Sequence, residues 1–271
     1  YTVTVTDTKG CSASGSTAVS NINGPLASIS NTVNTSCNGV CNGSATVTVT
    51  DGVPPYNYQW NTIPIQNNST ATGLCAGNYT AQVFDANGCI TSATATITQP
   101  AQLVVSINSI SNVSCFGQCN GSVSLNITGG TPPYGYNWSN GQTNSVAAPL
   151  CSGNYSITVT DSKGCTASTV AAVSEPSQLY ALMVTDSANC KVSCNGSAAV
   201  TAGGGTPPYS YQWTSGSGMP ILTGLCAGNY LLTIYDGNGC QVITSATILE
   251  PALLVASILL KGDVTCNGNG N

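Results

Sequence analysis

Cysteine is the residue of this chain that could do chemistry. There are fourteen cysteines in 271 residues, and no histidine. Three Cys-x3-Cys pairs, Cys37/Cys41, Cys115/Cys119 and Cys190/Cys194, are each followed by a further cysteine, Cys75, Cys151 or Cys226, and then by Cys89, Cys165 or Cys240. Structural zinc sites use two close pairs of Cys or His. Here no histidine exists and no second close pair follows, so the spacing points to disulfides and to no metal. Disulfides at this density belong to an oxidising compartment, outside the cytosol or at the cell surface.

The other reactive types are sparse. General acid–base or nucleophilic catalysis needs a proton carrier or an activated nucleophile. The chain offers nine carboxylates, no histidine and no catalytic constellation, so it reads as a non-enzyme with no cofactor. Four of the carboxylates, Asp7, Asp85, Asp161 and Asp236, stand in Asp-x-x-Gly-Cys. Calcium takes several oxygen ligands per site, and one such Asp per repeat is too few. A hairpin turn, with Asp bonding nearby backbone and Gly in the left-handed position, accounts for the pattern. The Gly-Gly-Thr-Pro-Pro stretches lack the Lys-Ser/Thr of a phosphate cradle. Trp60, Trp138 and Trp213, each two residues after a Tyr (Tyr58, Tyr136, Tyr211), read as core and not as a sugar-stacking platform. Charged residues are 5% and net charge is -5, so no basic patch exists for nucleic acid or anionic lipid. No apolar run reaches the roughly 18 residues of a membrane span.

The elements that must position these residues repeat. Pro25, Pro100, Pro176 and Pro251 mark a period of 75, 76 and 75 residues. The divisions are 1–25, the end of a repeat; 26–100, 101–176 and 177–251, three whole repeats; and 252–271, the start of another. The chain thus reads as a segment of a longer polypeptide extending both ways. Within a repeat, alternation such as Val123/Leu125/Ile127 and Tyr155/Ile157/Val159 marks strands with one buried face. Seven short strands are expected, in the second repeat at about 103–107, 113–115, 122–127, 134–138, 145–148, 155–160 and 167–173. A buried Trp on the third of the main strands and the Leu150-Cys-Ser-Gly-Asn-Tyr155 corner point to all-β, immunoglobulin-like sandwiches. Short Pro-containing links such as Gln99-Pro100-Ala101 favour an extended rod, which small-angle scattering from a compact globule would refute.

The ordered signatures Gly-Gly-Thr-Pro-Pro-Tyr-x-Tyr-x-Trp, Ala-Gly-x-Tyr and Asn-Gly-Cys resemble the SprB-type repeat of Bacteroidota gliding adhesins. A weaker likeness is to the PKD domain, through Pro-Pro-Tyr-x-Tyr-x-Trp. The resemblance implies a cell-surface filament exported by the type IX route and used in adhesion or gliding. The function expected is a structural stalk or filament segment of a long extracellular surface protein; the alternative is a carbohydrate- or cell-binding module. Its expected partners are neighbouring repeats of the same chain or fibre. The chain departs from the family in its inner pairs, Cys41/Cys75, Cys119/Cys151 and Cys194/Cys226, since such repeats commonly have the outer cysteines only.

Four cysteines per repeat allow three connectivities. Cys266 occupies the slot of Cys37, while Gly270 fills the slot of Cys41. The two members of a pair can therefore be lost separately and are not expected to bond each other. This predicts inner bridges Cys41–Cys75, Cys119–Cys151 and Cys194–Cys226, and outer bridges Cys37–Cys89, Cys115–Cys165 and Cys190–Cys240. Cys11 and Cys266 then pair outside this chain. Outward positions are dominated by Ser, Thr and Asn. Either these side chains alone keep the surface soluble, or covalent glycans coat it, with candidate sites at Ser187 (in Asp186-Ser187-Ala188), Asn34, Asn42, Asn68, Asn112, Asn120 and Asn195.

Overall fold

The computed structural model describes residues 1–21 and 23–257. Cys266 and Gly270 lie outside the described residues. The chain opens with a hairpin, β1 (Thr2–Thr6) and β2 (Ser12–Ser16). Six strands then recur three times. The first set is β3 (Leu26–Val33), β4 (Gly43–Thr50), β5 (Asn57–Trp60), β6 (Thr70–Leu74), β7 (Gly77–Phe84) and β8 (Ile90–Ile97). The second is β9 (Val104–Ser111), β10 (Gly121–Thr128), β11 (Gly135–Trp138), β12 (Val146–Leu150), β13 (Gly153–Thr160) and β14 (Thr166–Val173). The third is β15 (Tyr180–Asp186), β16 (Gly196–Gly203), β17 (Ser210–Trp213), β18 (Ile221–Leu225), β19 (Gly228–Tyr235) and β20 (Gln241–Ile248).

Each set makes two three-stranded sheets. In the first, β4 lies between β3 and β6, and β7 lies between β5 and β8. The pairings are antiparallel. Alternation decides the faces: Ala45 and Val47 of β4, Ala81 and Val83 of β7, and Ala95 and Ile97 of β8 point inward around Trp60, while Thr46, Gln82 and Thr96 between them turn outward. The third set repeats this around Trp213, with Ala198, Leu232, Ile234 and Ile248. These are tandem immunoglobulin-like β-sandwiches. The expected strand at 113–115 does not form. Val113 is buried and donates its N–H to the Ser174 carbonyl, but Asn120 Oδ1 takes the next N–H, that of Ser114, and folds the chain into a loop.

Glycine opens β4, β10 and β16 because nothing else fits. A Cβ on Gly43 would sit 2.8 Å from Ile97 Cγ2 and 2.9 Å from the Leu74 and Val33 carbonyl oxygens. The register shifts between Gly43 and Ser44, a bulge at the strand's entrance.

The described chain divides into two compact units. One comprises residues 1–107, 125–145 and 156–169, and the other residues 108–124, 146–155 and 170 onward. The first thus holds the first sandwich with part of the second, including its last hairpin; the other holds the rest of the second with the third.

Candidate functional site

Two local devices hold the cysteines. The first is the loop joining the first two strands of each sandwich. In the first repeat Thr35 N–H donates to the Thr98 carbonyl (3.1 Å), tying the loop to the end of β8. Asn42 braces the loop from within, accepting from Ser36 N–H (2.9 Å) and donating to Ser36 Oγ (2.7 Å). Gly39 N–H donates to Gln99 Oε1 (2.8 Å). Glu175 and Glu250 do the same for Gly117 and Val192. The link residue before each conserved-spacing proline therefore caps this loop. So held, the two cysteines of Cys-x3-Cys part company. The second bonds within its own repeat, giving Cys41–Cys75, Cys119–Cys151 and Cys194–Cys226.

The second device is the hairpin between the last two strands. Asp85 N–H donates to the Cys89 carbonyl (3.1 Å), and Gly88, at φ +79°, takes the left-handed position. Asp85 Oδ1 accepts from Asn87 N–H (2.9 Å) and Cys89 N–H (2.8 Å), while Oδ2 accepts from Val53 N–H (3.1 Å) in the Pro-Pro loop. Asp161 and Asp236 make the same three contacts, with Lys163, Cys165 and Thr131, and with Asn238, Cys240 and Thr206. Burial pushes the Asp85 and Asp161 carboxyls up, but the backbone N–H groups outweigh it and hold both below the ordinary Asp range. A carboxylate ringed by N–H donors is a turn clamp. Among the described residues no three His, Cys, Asp or Glu gather as metal ligands.

Loop and hairpin meet across repeats. Cys37 of the first repeat bonds Cys165 of the second, 128 residues away, and Cys115 of the second bonds Cys240 of the third, 125 residues away. Both bridges have Cα–Cα distances of 5.7 Å, ordinary for a disulfide. At the second junction Asn238 Nδ2 also donates to the Ser114 carbonyl (2.9 Å). A cleft of about 430 Å3 there is lined by Cys115, Phe116, Gln178, Leu179, Cys240 and Val242.

The expected outer bridges Cys37–Cys89, Cys115–Cys165 and Cys190–Cys240 are therefore corrected. Strand direction explains why. Cys89 precedes β8, whereas Cys37 follows Thr35, which is tied to Thr98 just beyond β8. Eight residues at about 3.3 Å each put about 26 Å between the two ends of that sandwich, and a disulfide spans less than about 7 Å between Cα atoms. In the third repeat β20 separates Cys240 from the Cys190 loop in the same way, since Ala188 N–H donates to the Leu249 carbonyl. The inner cysteines share one end because the first and fourth of five loops open on the same side once the long 61–69 crossover has returned the chain. Cys11, Cys89 and Cys190 carry free, exposed thiols.

The aromatic residues are structural. Trp60, Trp138 and Trp213 are at most 2% exposed, and each indole N–H donates to a carbonyl, of Asn68, Asn144 and Met219. Their faces are closed to a sugar. Tyr58, Tyr136 and Tyr211 are half-buried. Tyr155 and Tyr230 donate their hydroxyls to the carbonyls of Cys151 and Cys226, four residues upstream, which is the corner its sequence suggested. All seven candidate glycan sites are exposed, but five of the asparagines have their amides engaged. Asn34, Asn112 and Asn195 each accept a backbone N–H through Oδ1, and Asn42 and Asn120 use both ends of the amide. The exposed hydroxyls bond across strands, as in Ser28–Thr48 (3.2 Å), Thr80–Thr94 (3.1 Å) and Ser109–Ser124 (2.7 Å).

Fold and bridges together define a tandem array of immunoglobulin-like sandwiches locked by disulfides within and between repeats. The family model described as the SprB repeat matches the chain three times, at residues 29–64, 107–143 and 184–218, once per sandwich. No curated protein matches the chain. Similar solved structures include the three N-terminal domains of the bacteriophage RB49 highly immunogenic outer capsid protein (14% identity, 84% of this chain and 100% of that one, TM-score 0.42). Others are the N-terminal eight Ig domains of Down syndrome cell adhesion molecule (15%, 89% and 39%, 0.35) and a three-Ig structure of titin (14%, 84% and 99%, 0.33). The SprB repeat match is in keeping with a structural or adhesion-type module.

Proposed function

We propose that this chain is a load-bearing segment of a long extracellular surface fibre, a stalk of an adhesin or attachment filament, and that it carries out no catalysis. The observation behind this is that both complete repeat-to-repeat junctions are closed covalently, by Cys37–Cys165 and Cys115–Cys240. A free-standing binding module has no need of such coupling, and an enzyme would gain nothing from it. The low charge, the Ser/Thr ladders and the repetition of one surface three times suit a spacer. The disulfides suit an oxidising environment, and the SprB repeat match supports a surface location.

The test is antibody labelling of intact cells of the source organism, with and without external protease. Labelling of surface fibres that protease removes is the expected result. Signal obtained only after cell lysis would overturn the reading.

A further inference from the structure

The third sandwich departs from the other two on one face. In the first, the outward side chains of β3, β4 and β6 are tied by hydroxyls, Ser28 to Thr48 (3.2 Å) and Thr46 to Thr70 (3.0 Å). In the second, Asn108 and Ser109 both bond Ser124 Oγ. The third carries apolar groups instead. Register sets Val184 of β15 beside Ala199 of β16, and Ala199 beside Ile221 of β18, one row across the whole sheet. Leu182 and Tyr180 extend the row along β15, and the Tyr180 ring lies over Gly203, where a Cβ would overlap it. Ala181 and Met183 pack on the core, whereas Tyr180, Leu182, Val184 and Ile221 are each at least 50% exposed. The strand itself differs as well. β15 lies at the edge of its sheet, and natural edges are guarded by bulges or charges. The register of β3 shifts between Ile29 and Asn31, whereas β15 pairs with β16 without interruption from Tyr180 to Asp186. The one charged residue of β15 is Asp186, at its end. This open edge does not come from the ends of the sequence, because β9, in the repeat flanked on both sides, is an edge strand too.

We infer that β15 is a docking edge for a second copy of this chain, and that two copies pair β15 to β15, antiparallel about a two-fold axis, into one six-stranded sheet. A strand edge presents free N–H and C=O groups, and a two-fold axis sets each kind against the other. Charge selects the register. Pairing centred on Met183 places Leu182 against the partner's Val184, so the two apolar rows join into one band of the kind that marks contact surfaces. It also keeps the two Asp186 carboxylates about 20 Å apart along the strands, beyond the screening length of about 8 Å. A register centred nearer Asp186 would set the carboxylates face to face. A seven-residue strand is about 23 Å long. The contact is therefore small beside a standard interface of about 1,600 Å2, and the pairing is reversible and concentration-dependent. The two-fold closes on itself, so chains join side by side in pairs and not in open bundles. The inference rests on the third sandwich alone and is independent of the fibre reading.

The experiment uses the full 271-residue chain with its free thiols alkylated, so that no mixed disulfide contributes. Sedimentation equilibrium at rising protein concentration reads the dimer, and hydrogen exchange followed by mass spectrometry locates it. The expected result is a reversible dimer in which amides of β15 exchange at least tenfold more slowly than in the monomer. Leu182→Lys and Val184→Lys, each placing a charge in the apolar band, should weaken dimerisation at least tenfold. Leu231→Lys, at an exposed position of β19 in the other sheet, should leave it unchanged. Circular dichroism checks that every variant keeps its sandwiches. A chain that stays monomeric up to about 1 mM would overturn the inference. So would a dimer that Leu182→Lys does not weaken, or one whose slowed amides lie outside β15.

Discussion

Removing one junction bridge should loosen two repeats at once. In the double variant Cys37→Ser/Cys165→Ser no stray thiol remains to form a wrong bond. The bridge joins residues 128 apart, and the inner bridges Cys41–Cys75 and Cys119–Cys151 already shorten the loop it closes. The loop-entropy relation then assigns it about 4–5 kcal/mol at 25 °C, against about 4 kcal/mol for an inner bridge spanning 32–34 residues. For about 150 coupled residues that corresponds to a fall in Tm of about 10–20 °C. Differential scanning calorimetry under non-reducing conditions checks it, with Cys119→Ser/Cys151→Ser as the control. A transition that stays within about 2 °C of wild type would show that the bridge constrains nothing. A peptide map of the unmodified chain with Cys37 joined to Cys89 would refute the geometry itself.

Other perturbations test the sandwiches and the clamps. Gly196→Ala would place a Cβ 2.6 Å from Ile248 Cγ2 and 2.9 Å from the Asp186 carbonyl oxygen, and should cost about 1–3 kcal/mol in urea unfolding. Trp60→Ala empties a fully buried site and strands the Asn68 carbonyl, so about 3–5 kcal/mol is expected, with faster amide exchange concentrated in β4, β7 and β8. Because Asp85 and Asp161 have carboxyls held below the usual range when folded, their stabilising contribution is full above the ordinary Asp pKa of 3.8 and fades as pH falls below it through the folded value; Asp85→Asn should flatten that part of an acid-unfolding curve. We also propose that the native fibre is glycosylated, with the exposed Ser187 as one acceptor. Intact mass decides this, since a repeat mass equal to bare polypeptide less the disulfide hydrogens rules the coat out.

What was legible in the sequence was what one repeat decides alone. Val/Thr alternation announces β7 and its counterparts, the aromatic triplet marks the strand that carries the core Trp, and Asp-x-x-Gly-Cys spells out its own turn. The inner bridges were read from Gly270 standing in the slot of Cys41 while Cys266 keeps that of Cys37, and the structure accounts for them by setting Cys41 and Cys75 in loops at one end of one sandwich. The outer pairing was misread because a period assigns Cys37 and Cys89 to the same repeat, whereas the direction of β8 puts them at opposite ends. Bonding between repeats depends on how one sandwich abuts the next, which the residues of a single repeat do not encode. The free strand expected at 113–115 failed for a related reason: Asn120 takes the Ser114 N–H that a ladder would have needed.

The overlap of the two junction bridges changes what the polymer can do under tension. Along the backbone, residues 37 and 240 are separated by about 200 residues, roughly 700 Å when drawn straight. A shorter covalent route exists: across from 37 to 165, back to 151, across to 119, on to 115 and across to 240. It contains only about 18 residues of backbone, roughly 60 Å at full stretch. A pull between those points therefore goes taut on sulfur–sulfur bonds before the sandwiches can unravel, and most of the hidden contour length stays locked. Reduction would turn the same segment from an inextensible tether into one that lengthens by whole domains, so its compliance is set by the redox state of its surroundings and not by the strength of its folds.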